Sequence, residues 1–112
     1  MTTEELIQKF LDTGRYAFIK HTAKRSPEIR KLLRHEKVMI EGNEYGCLQE
    51  LVVVKTAEYI REILPDCDIE VELNGNDSIL RIELTEKEKR KLTGSLYDFL
   101  DKNKCLGGNY GV

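Results

Sequence analysis

The chain predicts an α+β domain in which about four helices pack on a small antiparallel sheet centred on a β-hairpin at about 68–84. Three observations carry this expectation. Apolar residues recur at helical spacing in separate stretches, Ile69, Val71 and Leu73 alternate with Asp68, Glu70 and Glu72, and after the turn residues Asn74-Gly75-Asn76-Asp77 the positions Leu80, Ile82 and Leu84 resume the alternation. At 112 residues and 40% hydrophobic content, the chain can bury one modest core. A single compact domain over 1–106 with a flexible tail at 107–112 follows as the expected organisation.

Thr2 followed by Glu5 has the capping-box pattern, and Leu6, Ile7, Phe10 and Leu11 form one apolar stripe that Gly14 is suited to end. The expected first helix is therefore about 3–13. Between Arg15 and Arg25 two patterns compete. Tyr16 and Phe18 alternate as in a short strand, the preferred reading, whereas Tyr16, Ile19 and Ala23 would share a helical face. Ser26-Pro27 places a good cap before a proline at the first helical position, and Ile29, Leu32 and Leu33 supply a buried side, predicting a helix over about 27–36.

Val38 and Ile40 suggest a short strand ending at Gly42-Asn43, a pair suited to a turn. From Gly46 to Leu64, the positions Leu48, Val52, Val53, Ala57, Ile60, Ile63 and Leu64 make a broad stripe, predicting a central helix closed by Pro65. In the hairpin, a two-residue loop would set Glu72 opposite Asp77, whereas a four-residue loop sets Glu70 opposite Arg81. The four-residue loop, Asn74 to Asp77, is preferred, although it leaves Asp68 near Glu83. Thr85 with Glu88 is a second capping box, and Leu92, Leu96, Phe99 and Leu100 continue as a helical seam to about Asn103.

Charge is distributed unevenly along a chain whose net charge is only -2. Residues 15–37 hold eight basic side chains against Glu28 and Glu36, while residues 38–84 hold three basic and eleven acidic ones. The basic segment points to nucleic acid or a nucleoprotein as partner, through Arg15, Tyr16, Phe18, Lys20, Lys24, Arg25, Arg30, Arg34 and Lys37. Arg30, Arg34 and Lys37 recur at helical spacing as one cationic stripe able to meet phosphates, and Tyr16 with Phe18 on a strand would offer bases a stacking surface. Nucleic-acid contact is the preferred reading; the acidic run Asp66, Asp68, Glu70 and Glu72 supports the alternative, an inhibitor or immunity-type module docking on a basic protein. Both patterns also occur as ordinary solvated faces.

Catalytic and cofactor chemistry find little support. No glycine-rich phosphate cradle precedes a helix, and His21 and His35 lack neighbouring ligands at zinc-site spacing, so neither a cofactor nor a metal is expected. Cys47, near the start of the central helix, is the strongest nucleophile candidate, yet a cysteine there is more often a small buried residue. The expected protein is not an enzyme. Three unpaired-looking cysteines, an acidic N-terminal sequence and the absence of any long apolar run predict a cytoplasmic protein with no membrane partner. Free hairpin edges leave a homodimer open.

Overall fold

A computed structural model describes residues 2–22 and 26–102. The element order is α1 (Thr3–Thr22), α2 (Pro27–Leu33), β1 (Val38–Ile40), β2 (Asn43–Tyr45), α3 (Leu48–Ile63), β3 (Asp68–Glu72), β4 (Ile79–Glu83) and α4 (Glu86–Lys102). This is an α+β fold; among the described residues it has four helices, and its strands form two separate antiparallel hairpins. The tail expected at 107–112 lies outside the described residues.

The first helix begins as its capping box predicts, with the Thr2 hydroxyl accepting from the Glu5 amide at 3.1 Å. It does not end at Gly14. The helix runs on to Thr22, so the short strand expected after Arg15 is absent and Tyr16 and Phe18 are helical. The reason is a stripe at four-residue spacing. Phe10, Gly14 and Phe18 face Val52, Thr56 and Tyr59 of α3 and Phe99 of α4 around an apolar cavity of about 180 Å³. Gly14 is a point of close approach between helices, where a Cβ would stand 3.7 Å from Val52 Cγ1.

At α2 the Ser26 hydroxyl accepts from the Ile29 amide at 3.2 Å and Pro27 occupies the first turn. The helix stops at Leu33, short of the expected residue 36. His35 adopts a left-handed φ of 59°, its amide donates to Leu32 O, and the Glu36 amide donates to Lys31 O. That pair of bonds is a Schellman termination with histidine in the position glycine usually fills.

The strand expected at Val38–Ile40 has a partner that the sequence reading missed. Glu41 and Gly42, with φ of 52° and 83°, make a two-residue type I′ turn, and Val38 pairs with Tyr45. Helix α3 is the centre of the molecule: Leu51, Val52, Val53, Ala57 and Ile60 are almost wholly buried, and both hairpins and all three other helices pack on it. Each of these Leu, Val and Ile side chains contributes about 1.5–3 kcal/mol by leaving water, which overrides the strand preference of three consecutive valines. The helix closes before Pro65, as expected.

The second hairpin has the expected register, with Glu70 opposite Arg81 and Asp68 opposite Glu83. After it, Thr85 and Glu88 exchange capping bonds at 2.9 and 3.2 Å. Helix α4 then buries Leu92 and Leu96 completely and brings Phe99 to 4.4 Å from Phe10, ring to ring. Among the described residues, no helix is long and apolar enough to cross a membrane.

Candidate functional site

Lys20, Arg30, Lys31, Arg34 and Lys37 are exposed and Arg15 is half-buried, but the fold breaks the pattern that made these cations a surface for phosphate. Because α2 ends at Leu33, Arg34 is its cap residue and Lys37 lies beyond the left-handed His35, so Arg30, Arg34 and Lys37 are not one helical stripe. Arg15 pairs with Asp12 at 3.2 Å, Arg34 with Glu36, and Lys37 with Glu44 at 3.9 Å. These exposed pairs contribute little stability but reduce the free positive charge. Arg30 and Lys31 have no ion-pair partner among the described residues, and Lys24 and Arg25 lie outside them.

The aromatic pair is also divided. Two helical positions apart, Tyr16 and Phe18 point about 200° from one another around α1. Phe18 packs against the core, while Tyr16 carries Lys20 Nζ at 5.6 Å above its ring. The two rings therefore offer no common stacking platform, because the strand that would have aligned them is helix.

The acidic hairpin, by contrast, assembles as its alternation predicts. Asp68, Glu70 and Glu72 point outward from β3, while Ile69 and Val71 turn toward α3. On β4, Ile79, Arg81 and Glu83 share that outer face, and Leu80 and Ile82 lie inside. Arg81 bonds diagonally to Glu72 at 3.1 Å instead of to Glu70 directly across from it. Asp68, Glu70 and Glu83 have no ion-pair partner among the described residues. The face therefore carries four carboxylates against one guanidinium, with the like charges of Asp68 and Glu83 directly opposed. Asp66 does not join it: it lines a shallow groove of about 190 Å³ with Lys87 and Lys91 of α4. Glu83 is a member that the residue choice from sequence omitted, although the β4 alternation pointed to it.

Two features hold this face in place. Glu50, in the first turn of α3, accepts from the Gly46 amide at 2.6 Å and from the Gly75 amide at 3.2 Å. Arg61, near the end of the same helix, donates to Ile69 O at 3.4 Å. Beside β4 runs a groove of about 440 Å³ whose opposite wall is the start of α1, including Glu4, Ile7 and Leu11.

Cys47 is buried, 3% exposed, at the N-cap of α3, and makes no capping hydrogen bond. Burial pushes the Cys67 thiol up from its ordinary value, with Glu88 adding to the shift. His35 is exposed at the end of α2, and the side chain of His21 lies outside the described residues. Among the described residues no group of three His, Cys, Asp or Glu side chains is placed to hold a metal ion. Comparison of the chain with protein-family models, with curated proteins and with solved structures finds no match.

Proposed function

We propose that this protein is a non-enzymatic binding module of the inhibitor or immunity type, which docks on a basic protein surface through the outer face of the β3–β4 hairpin. The observation that carries this reading is the unbalanced face: Asp68, Glu70 and Glu83 stand exposed beside Glu72, without an ion-pair partner among the described residues, on a strand pair tied to the core through Glu50 and Arg61. A rigid array of like charge steers an oppositely charged partner and sets its register.

The test is capture of partners from a lysate of the native host at low salt, followed by mass spectrometry. The expected result is a basic protein that the Glu70→Lys, Glu72→Lys double variant no longer retains, although its far-UV circular dichroism is unchanged. Capture that survives the charge reversal overturns the reading.

One observation keeps a second reading in view. Arg30 and Lys31 are exposed on α2 with no carboxylate partner among the described residues, which supports contact with nucleic acid or a nucleoprotein. Salt-sensitive recovery of nucleic acid that falls further on Arg30→Ala with Arg34→Ala would favour this role over the first.

A further inference from the structure

The two edges of the β3–β4 hairpin are not equivalent. In an antiparallel pair, each residue turns both of its peptide groups either toward the neighbouring strand or away from it. The Ile69 carbonyl accepts from Arg61, so Ile69 faces the outer edge of β3 and that edge is partly covered. Its cross-strand neighbour Ile82 then turns its N–H and C=O to the outer edge of β4, and Leu80 and Leu84 do the same by the two-residue period. Among the described residues, strand β4 pairs only with β3. Along its free edge lies the groove of about 440 Å³ whose far wall is formed by Ile7 and Leu11. The groove is mixed in character, with Glu4, Gln8 and Lys89 beside the apolar Ile7, Leu11 and Leu84; an uncovered strand edge beside it is a template for another strand.

We infer that this edge takes β4 of a second copy of the chain, antiparallel about a two-fold axis at Ile82. The charge pattern selects both the occupant and the register. Centring the axis on Arg81 would oppose two guanidiniums, and centring it on Glu83 would oppose two carboxylates. Centring it on Leu80 sets Arg81 against the apolar Ile79. Only the axis at Ile82 places Arg81 opposite the partner's Glu83, and by symmetry does so twice. The same register opposes Leu80 to the partner's Leu84 on the inner face, above the groove. It also matches the outward peptide groups of both strands, giving a continuous four-stranded sheet with an acidic β3 at each margin. An interface of this length is at the small end for specific association, so the dimer dissociates on dilution.

The inference is separate from the proposed function: the dimer pairs Glu83 of the acidic face but leaves Asp68, Glu70 and Glu72 of β3 free. Light scattering across a dilution series of the full chain tests it. The mass is expected to rise from 13.0 kDa toward twice that value with concentration. Glu83→Arg opposes like charges across the axis but relieves the repulsion from Asp68 within the hairpin. It should therefore remain monomeric throughout while unfolding at a higher denaturant concentration than wild type. Arg81→Glu should be monomeric alone, and mixing the two variants should restore a dimer through two opposite-charge pairs. A wild-type chain that stays at 13.0 kDa overturns the inference. So does a Glu83→Arg variant that dimerises like wild type. Should Arg81→Glu fail to fold, the Glu83→Arg comparison still decides the question.

Discussion

The Glu50 carboxylate accepts from the Gly75 amide at 3.2 Å, joining the first turn of α3 to the tip of the second hairpin across 25 residues of chain. The same side chain accepts from Gly46, so one carboxylate fastens two loops. Charge-assisted bonds of this kind contribute about 1.5–3 kcal/mol. Glu50→Ala is expected to lower the unfolding free energy by about 1–3 kcal/mol in denaturant titrations. It should also speed amide exchange at Gly75 selectively over the α3 interior.

Two helical glycines should yield stability when replaced. A Cβ at Gly94 meets nothing within 4 Å, and one at Gly14 makes an ordinary contact with Val52. Gly→Ala in a helix interior gains about 0.5–1 kcal/mol when space permits. Gly94→Ala is expected to reach that gain in thermal unfolding, and Gly14→Ala to do so while slightly filling the apolar cavity between α1 and α3. A loss of stability at Gly14 would mean that α1 and α3 have no room to separate.

The end of α2 rests on His35 in a left-handed conformation. A side chain there is strained relative to glycine, so His35→Gly should stabilise the fold by about 0.5–1 kcal/mol and His35→Val should destabilise it. Equal stabilities for wild type and both variants, measured by urea unfolding, would contradict this assignment.

Alkaline pH should unfold the protein through several groups acting in the same direction. The hydrogen bond to Glu41, 2.6 Å long, holds the Lys55 ammonium above its ordinary 10.5. Burial raises the Tyr45 and Tyr59 phenols above 10.0 and the Cys67 thiol above 9.0. In each case the folded state holds its proton more tightly than the unfolded chain does. The associated stability is complete below the ordinary value and is lost as pH rises through the higher folded value. Denaturant midpoints are expected to fall first as Cys67 titrates and then more steeply beyond pH 10.0. Glu41→Gln, which removes the largest cause of the Lys55 shift, should weaken the alkaline dependence contributed by Lys55.

Local signals in the sequence located the elements whose ends are fixed by nearby residues. Both capping boxes, the proline that closes α3 and the hairpin register were readable because each depends on residues a few positions apart. The extension of α1 was not, since Gly14 reads as a helix stop until Val52 is known to lie against it. The early end of α2 was hidden for a related reason: no glycine marks the left-handed position, and histidine fills it at a local cost. Strand β2 has only three residues and no alternation long enough to detect. At the candidate site, Asp68, Glu70 and Glu72 were legible because period two alone sets their direction. The cationic stripe failed because its alignment required a helix to continue past Leu33. The anchoring role of Glu50 depends on contact with a distant loop and leaves no local trace.

The stacking of Phe10 on Tyr59 at 5.2 Å, with Phe99 tilted against both, has a practical consequence for experiments on this chain. With no tryptophan to dominate the signal, the near-ultraviolet dichroism of a tyrosine held in that asymmetric trio becomes an intrinsic gauge. It registers whether α1, α3 and α4 are seated together, and it fades when they part even if their helicity persists.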